Sequence, residues 1–250
     1  MSVPEAIGIL AAGVVAGMIN VVVGSGTLIT FPVLLGFGYS PLVANVTNSV
    51  GLVPGSVAGA IGYRRELRGQ RRRAVPLLLV SLAGSIAGAA LLLTLPASAF
   101  ADIVPGFIGA ALVLILLQSR LTRWLARRRA PRDTPGVWTT SGVLASGVYG
   151  GYFGAAQGIL LLAILGLGLD DDLQRTNALK VVLTGLVNFV AGVVFIAAAR
   201  IDLAAALLIA LGSTVGGTIG ARAGRRLPAA WLRALIVAVG VAAIVRLLTQ

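Results

Sequence analysis

Residues 20–32, Asn-Val-Val-Val-Gly-Ser-Gly-Thr-Leu-Ile-Thr-Phe-Pro, interrupt an apolar sequence with a glycine-rich break. A helix needs about 20 apolar residues to span the hydrocarbon core of a bilayer. The apolar segment before the break, about 5–23, has that length, but the segment after it, 27–37, is much too short. A short segment behind a glycine break is typical of a half-helix or a re-entrant hairpin, and such irregular backbone is tolerated only inside protein or beside water.

A second break of the same kind lies at residues 150–158, Gly-Gly-Tyr-Phe-Gly-Ala-Ala-Gln-Gly, before the short apolar segment 157–168. A shift of 130 residues brings glycines of the two regions into register. The matches include Gly17 with Gly147, Gly24 with Gly154, Gly36 with Gly166, Gly55 with Gly185 and Gly62 with Gly192. The sequence therefore predicts two related transmembrane repeats, 1–119 and 137–250, joined by a basic cytoplasmic linker at 120–136.

Hydrophobic residues make up 58% of the 250-residue chain and charged residues only 11%, which predicts an all-α polytopic membrane protein. Ten apolar segments are predicted, at about 5–23, 27–37, 42–62, 74–95, 101–119, 137–153, 157–168, 175–199, 203–221 and 229–248. Each half holds five of them. Because five is odd, consecutive copies enter the membrane from opposite sides, so the two five-segment repeats are predicted to be inverted, each with a glycine-broken re-entrant or half-helix hairpin.

Basic residues are concentrated between the apolar segments. Fifteen of the nineteen arginines lie in the stretches 64–73, 120–132 and 222–226. Loops rich in arginine face the cytoplasm, so we expect a multi-pass protein of the bacterial cytoplasmic membrane with both termini external. The net charge of +12 then points to the anionic headgroups of the lipid bilayer as partners and not to nucleic acid.

The chain has no cysteine and no histidine, and its eight acidic residues all fall at predicted segment ends or loops. We therefore predict no catalytic residue, no metal site, no cofactor and no enzymatic activity. A carboxylate proton relay at the membrane midplane is not predicted either, which favours uniport or weak coupling.

The first candidate site for a solute lies at the first break and comprises Asn20, Gly24, Ser25, Gly26 and Thr27. The short helix behind it should present free N–H groups and the positive end of its dipole, which suit an anion. The alternative is a packing kink whose N–H groups bind neighbouring helices.

The second candidate group is Asn45, Thr47, Asn48 and Ser49, in a segment that is otherwise apolar. Polar side chains facing lipid are costly, so they should face the interior, with Asn45, Asn48 and Ser49 on one helix face. They either bind substrate or link helices, and Asn45 is also a candidate helix cap.

The corresponding stretch of the second half contains Arg175, Asn177 and Lys180, the last being the only lysine of the chain. Both cations are candidates for an anion contact, and the alternative is that both extend to the cytoplasmic interface. Residues 170–172, Asp-Asp-Asp, can pair with them or favour the first turn of the helix.

Tyr149, Tyr152 and Gln157 surround the second break and are candidates for a gate. The alternative for the tyrosines is an aromatic belt at the membrane interface. The patterns Gly84-x-x-x-Gly88 and Gly212-x-x-x-Gly216 predict close helix packing.

The chain resembles the TauE/SafE family of sulfite exporters, the TSUP-type transporters. In the first half, the resemblance rests on the glycines from Gly17 to Gly26 followed by residues 27–32, on Gly38-Tyr39-Ser40-Pro41, and on Ala44-Asn45-Val46-Thr47-Asn48. In the second half it rests on residues 147–158. There Leu162 stands in place of the proline, and residues 175–177 match less closely. It implies export of a small sulfur-containing anion, such as sulfite or an organosulfonate, across the cytoplasmic membrane.

The expected function is therefore that of a membrane transporter for a small anion, with a solute site between the two breaks. The alternative is a membrane scaffold or assembly protein without transport activity. The sequence leaves the oligomeric state open.

Overall fold

The computed structural model describes residues 1–125, 134–223 and 229–248, and within them the chain forms eleven helices. They are α1 (Val3–Val22), α2 (Thr27–Gly36), α3 (Pro41–Gly51), α4 (Val53–Gly62), α5 (Arg71–Thr94), α6 (Ala97–Leu125), α7 (Val137–Tyr152), α8 (Gln157–Gly168), α9 (Leu173–Ala198), α10 (Leu203–Ala223) and α11 (Ala229–Leu248). The prediction of an all-helical protein is confirmed. Parts of the predicted linker (126–133) and of the third arginine stretch (224–226) lie outside the described residues.

Five of these helices are long and apolar enough to span a bilayer, namely α1, α5, α6, α9 and α10. This supports the prediction of a multi-pass membrane protein. The two short helices α2 and α8 have 10 and 12 residues and follow the two glycine breaks, as predicted. The inversion of the halves and the re-entrant character of the hairpins stay predictions.

Local sequence signals set the beginnings of several helices. Ser2 and Glu5 form a capping box at the start of α1, in which each side chain accepts a hydrogen bond from the other residue's N–H group. The Asp172 carboxylate accepts hydrogen bonds from the N–H groups of Gln174 and Arg175 at 2.8 and 2.9 Å, so it caps α9. The expectation that an aspartate of this loop favours the first turn is confirmed.

The prediction of one helix over 42–62 is wrong, because the chain forms α3 and α4 with a break at Leu52. Pro54 lies in the first turn of α4 and has no N–H group to continue the ladder of α3. At a shift of 130 residues the second half has Thr184 in that position, and α9 runs through it without a break.

The proposed capping role of Asn45 is also wrong. α3 begins at Pro41 with Ser40 as its N-cap, which places Asn45 inside the helix. α6 likewise continues to Leu125, beyond the predicted end of the first repeat at residue 119.

Glycines bring two pairs of helices into close contact. α1 packs against α10, where a Cβ added at Gly216 would overlap the main chain of Val14. α5 packs against α7, where a Cβ at Gly88 would overlap the main chain of Val148. The predicted small-residue packing motifs are confirmed, and the first helix of each half packs on a helix of the other half.

The two ends of the bundle differ in charge. At the end we call the basic end, Arg73 and Arg175 both form ion pairs with Asp171, at 2.9 and 2.8 Å. α9 leaves this end and extends over 26 residues, about 39 Å, to the opposite end. There the Tyr39 hydroxyl donates a hydrogen bond of 2.8 Å to the Asp202 carboxylate.

Candidate functional site

The two glycine breaks meet inside the molecule. Gly24 and Gly154 have φ values of 88° and 75°, in the left-handed region that favours glycine. The Gly158 N–H donates a hydrogen bond of 3.0 Å to the Gly24 carbonyl. A Cβ added at Gly24 would overlap the main chain of Gly158, and a Cβ added at Gly158 would overlap that of Gly24. The close contact between the two chain segments therefore requires glycine at both positions. The structure therefore places the two predicted breaks side by side.

The first N–H groups of α2 and α8 are less available than predicted. The N–H of Leu28 donates to the Ser25 carbonyl at 3.2 Å, and that of Ile29 donates to the Gly26 carbonyl at 3.0 Å. At the second break, the N–H of Gln157 donates to the Gly154 carbonyl at 3.1 Å. These tight turns satisfy donors that an anion would need. The anion site at the N-terminus of α2 has fewer free donors than expected, and it stays a prediction.

Lys180 lies at the first break and is completely buried. Its ammonium donates hydrogen bonds to the carbonyls of Asn20 (3.3 Å) and Val21 (3.1 Å), which belong to the last turn of α1. These carbonyls have no partner within α1 and carry the negative end of its dipole. The alternative that Lys180 extends to the membrane interface is wrong. Among the described residues, no carboxylate forms an ion pair with it.

Two asparagines accompany Lys180. The Asn177 side chain donates a hydrogen bond to the Val21 carbonyl at 3.4 Å, and the Asn20 side chain donates to the Ser56 hydroxyl at 3.2 Å. The structure thus brings Asn20 of the first candidate group together with Asn177 and Lys180 of another. Ser56 was missed, although a serine in the apolar helix α4 is a signal of an interior-facing position.

Arg175 lies apart from this group. Its guanidinium binds Asp171 at 2.8 Å and donates to the Arg68 carbonyl at 3.2 Å, at the basic end. The side chain is 27% exposed. For Arg175 the structure favours the interfacial alternative, and the anion contact has no support in its surroundings.

Asn48 connects α3 to the first turns of α2. Its amide donates a hydrogen bond to the Thr27 hydroxyl at 3.2 Å, and its carbonyl oxygen accepts one from the Thr30 hydroxyl. All three side chains are buried. Thr30 was missed by the sequence analysis, and only its position next to the break pointed to it.

Asn45 plays the same part at the second break that Asn177 plays at the first. Its side chain donates a hydrogen bond of 2.9 Å to the carbonyl of Tyr152, the last residue of α7. Ser49 instead donates to the Asn45 carbonyl of its own helix at 3.0 Å, and Thr47 accepts from the Asp202 N–H at 3.3 Å. The predicted polar face is buried, but its members bind different partners.

The second break is bridged by side chains. The Tyr149 hydroxyl donates to the Ala155 carbonyl at 2.6 Å, and the Gln157 amide donates to the Ser146 carbonyl at 2.9 Å. Tyr152 is only 5% exposed, so an interfacial belt is the wrong interpretation for it.

Aromatic rings fill the space beside the second break. The Phe31 and Phe153 rings lie 5.2 Å apart, and Phe100 lies 5.6 Å from Tyr152. The group, which we call the aromatic cluster, consists of Phe31, Phe100, Phe107, Tyr149, Tyr152 and Phe153. It leaves this region closed and apolar, apart from the tyrosine hydroxyls.

A cavity of about 550 Å³ opens at the basic end, below the first break. Its inner wall includes Val22 and Val23, where α1 ends, and Asn177 of the Lys180 group. The remaining lining residues are Tyr63, Gln118, Ser119, Thr122, Arg123, Leu162, Leu173, Gln174 and Arg233. The sequence analysis missed the polar residues among these, because three separate helices, α6, α9 and α11, and the residue after α4 contribute them and no local pattern joins them.

Three buried hydroxyls near the breaks have no partner within the described part of the chain. They are the Ser25 hydroxyl, next to Gly24, the Tyr152 hydroxyl, in the aromatic cluster, and the Ser146 hydroxyl, in α7. Buried polar groups are nearly always hydrogen-bonded, so each is a place where water or a solute would be favoured.

Comparisons with known proteins agree over nearly the whole chain. The family model described as "Sulfite exporter TauE/SafE" matches residues 9–247. The chain is 29% identical over 240 residues to a probable membrane transporter protein, ORF9, of a Sinorhizobium species, covering 96% of this chain and 90% of that protein. It is 26% identical to the probable membrane transporter protein YfcA of Escherichia coli K12 (83% and 76% covered) and 27% identical to one of Haemophilus influenzae (84% and 81% covered). No solved structure matches the chain significantly.

Proposed function

Because this chain belongs to the sulfite exporter TauE/SafE family of membrane transporters, we propose that it exports a small sulfur-containing anion across the bacterial cytoplasmic membrane. Sulfite and organosulfonates are the candidate substrates. The observation that carries the anionic character of the solute is the buried ammonium of Lys180, which has backbone carbonyls as partners.

The charge of Lys180 is the physical basis of this proposal. A buried ammonium loses its hydration, and the cost is high unless other groups compensate. The two carbonyls at the end of α1 supply partial negative charge. An anion that reaches the break would supply a full negative charge. The attraction between this charge and the ammonium would stabilise both the bound solute and the buried lysine. Asn177 donates to one of these carbonyls, that of Val21, and the Asn20 side chain links the end of α1 to Ser56 of α4.

The basic end is proposed to face the cytoplasm, with both chain termini outside. The ion pairs of Arg73 and Arg175 lie at this end, and loops rich in basic residues stay in the cytoplasm. The packing of α1 on α10 and of α5 on α7 is what two inverted halves would give, since the first helix of each half then meets the fourth apolar segment of the other half.

Export of an anion in this direction needs no carboxylate relay. With the inside negative, moving one negative charge outward is favoured by about 2.3 kcal/mol per 100 mV. The aromatic cluster would close the external side, and the cavity at the basic end would admit solute from the cytoplasm.

The test uses Lys180→Gln, which removes the charge but keeps N–H donors for the two carbonyls of α1. Purified wild-type protein should gain thermal stability with sulfite, because a ligand that binds the native state raises its apparent stability. Lys180→Gln should lose this gain, and sulfite flux from loaded proteoliposomes should fall by about tenfold or more, the effect of losing one charge-assisted hydrogen bond in a buried site.

The matched control is Arg200→Gln, which removes one exposed positive charge outside the helices. It should keep both sulfite stabilisation and flux. If Lys180→Gln is folded and transports sulfite at the wild-type rate, the proposed site is wrong. If the wild-type protein shows no flux and no stabilisation with any of a panel of anions, transport of an anion is wrong.

A further inference from the structure

The cavity at the basic end has a composition of its own. Gln118, Ser119, Thr122 and Arg123 reach it from α6, and Arg233 reaches it from α11. Together with Gln174 and Asn177 of α9 they form the polar part of the lining. Its apolar part is formed by Val22, Val23, Leu162 and Leu173.

The charged residues described in the lining of this cavity are all positive. Two guanidinium groups line it, and no carboxylate is among its described lining residues. The nearest acidic stretch along the chain is 170–172, where Asp171 is already paired with Arg73 and Arg175 and Asp172 caps α9. A concave site of one charge sign attracts and concentrates ions of the other sign.

The size and walls of the cavity define the ligand it fits. A volume of about 550 Å³ lies in the range of small-molecule sites, which combine apolar walls with a few polar groups that fix orientation. The guanidinium geometry matches an oxyanion, to which it can donate two parallel hydrogen bonds. The apolar part of the cavity lining suits a short hydrocarbon group on the same ligand.

We propose that this cavity is a separate binding site for an organic oxyanion, in which Arg123 and Arg233 hold the oxyanion before it moves to Lys180. The inference rests on the proposed function, because it places a first binding site on the same transport pathway. The Arg123 Nε–H donates to the carbonyl of Ser119, another lining residue on the same helix, at 3.3 Å. Asn177 belongs to both the cavity and the Lys180 site, since it lines the cavity and binds the Val21 carbonyl next to Lys180.

The absence of cysteine from the chain allows a direct test of binding. Ser119→Cys places one thiol in the cavity, and a membrane-impermeant maleimide reports its accessibility in purified protein. The ligand pair is methanesulfonate and dimethyl sulfone, which have similar size and differ in charge. Methanesulfonate should slow labelling at constant ionic strength, and dimethyl sulfone should not.

The matched control for position is Thr218→Cys. Thr218 lines a second depression, which also holds Arg64, Arg222 and the carboxylate of Glu66. Its labelling should be unaffected by either compound. Equal protection at both positions would show a general effect of surface charge and overturn the inference, as would no protection at Ser119→Cys.

The roles of the two arginines are tested in the Ser119→Cys protein. Arg123→Gln or Arg233→Gln should raise the methanesulfonate concentration for half-protection by about 3- to 10-fold, the range for one charge-assisted hydrogen bond at a partly solvated site. Arg222→Gln, which removes a charge from the other depression, should leave it unchanged.

The outcome separates the two proposals. A half-protection concentration that rises with Arg123→Gln but not with Arg222→Gln supports the cavity site, whatever the sulfite flux. Protection that survives in the double variant Arg123→Gln/Arg233→Gln overturns it, even if wild-type protein transports sulfite and the proposed function stands.

Discussion

At the residue scale, the groups that matter most are those that bind the carbonyls left free where α1 and α7 end. Lys180 and Asn177 bind carbonyls of Asn20 and Val21, and Asn45 binds the carbonyl of Tyr152. A helix that ends inside a membrane protein must have these acceptors satisfied, because no water is at hand in the hydrocarbon region. At the first break the chain uses a cation for this purpose, and the same cation can then serve an anionic solute.

Three glycines give a graded test of the first break. Gly24→Ala puts a side chain on a φ of 88° and against the main chain of Gly158, so it should destabilise the protein by about 3 kcal/mol or more. Gly38→Ala has a φ of 89° but open space around its Cβ, so strain alone should cost about 1 kcal/mol. Gly36→Ala has open space and helical backbone, and its effect should be near zero.

The measurement is the thermal or denaturant unfolding midpoint of each variant in detergent. The unfolding midpoint of Gly24→Ala should be lower than that of Gly38→Ala, and the midpoint of Gly36→Ala should equal that of the wild-type protein. A Gly24→Ala protein that is as stable as Gly38→Ala would show that the contact with Gly158 does not constrain the break.

At the element scale, the fold depends on two helix pairs that pack main chain against main chain. α1 lies on α10 and α7 lies on α5, with glycine or serine at the points of contact, such as Gly17 against Ser213 and Gly151 against Ser85. In a bilayer the hydrophobic effect does not drive helices together, so close packing of small residues has to supply the attraction. The long pairs hold the bundle, and the short helices α2 and α8 lie against it.

A valine in one of these contacts should separate the helices. Gly216→Val would overlap the main chain of Val14 and should destabilise the protein by about 2–4 kcal/mol or prevent its folding. Gly109→Val in α6 is the control, since a Cβ there meets nothing within 4 Å. Size-exclusion profiles and unfolding midpoints in detergent compare the two. Similar behaviour of both variants would mean that the α1–α10 contact is not close in the membrane protein.

At the scale of the whole molecule, a hydrogen bond joins the two halves at the end opposite the basic end. The Tyr39 hydroxyl, between α2 and α3, donates to the carboxylate of Asp202, between α9 and α10. Burial and the neighbouring Asp202 carboxylate raise the pKa of Tyr39 to about 12. Hydrogen bonds from the Ala205 N–H and from Tyr39 outweigh partial burial and lower the pKa of Asp202.

These shifts predict how stability depends on pH. The pKa of Tyr39 is raised above its unfolded value of about 10, so its contribution is complete below pH 10 and is lost between about pH 10 and 12. The pKa of Asp202 is lowered, so its contribution is complete above its unfolded value of about 3.9 and is lost as the pH falls below that. Wild-type protein should therefore exceed Tyr39→Phe in unfolding midpoint at neutral pH, and this difference should disappear at both extremes. A difference that stays constant with pH would contradict the assignment.

The sequence by itself determined the membrane class, the helical fold, the two breaks and the glycine packing motifs. These follow from local properties: apolar length fixes the spanning segments, and glycine and proline fix where helices stop. It also named Asn20, Asn177 and Lys180 as candidate solute contacts, in two separate groups. Pro54 was visible in the sequence, and its break between α3 and α4 was missed because the apolar run continues through it.

Only the tertiary structure decided what each polar residue does. Arg175 and Lys180 lie five positions apart on α9, yet one binds Asp171 at the basic end and the other binds the end of α1. The cavity with Arg123 and Arg233 combines residues from helices that are distant in the sequence. The physical reason is that hydrogen bonds and charge depend on which groups face each other across helices, and a sequence pattern fixes the face of one helix but not its neighbour.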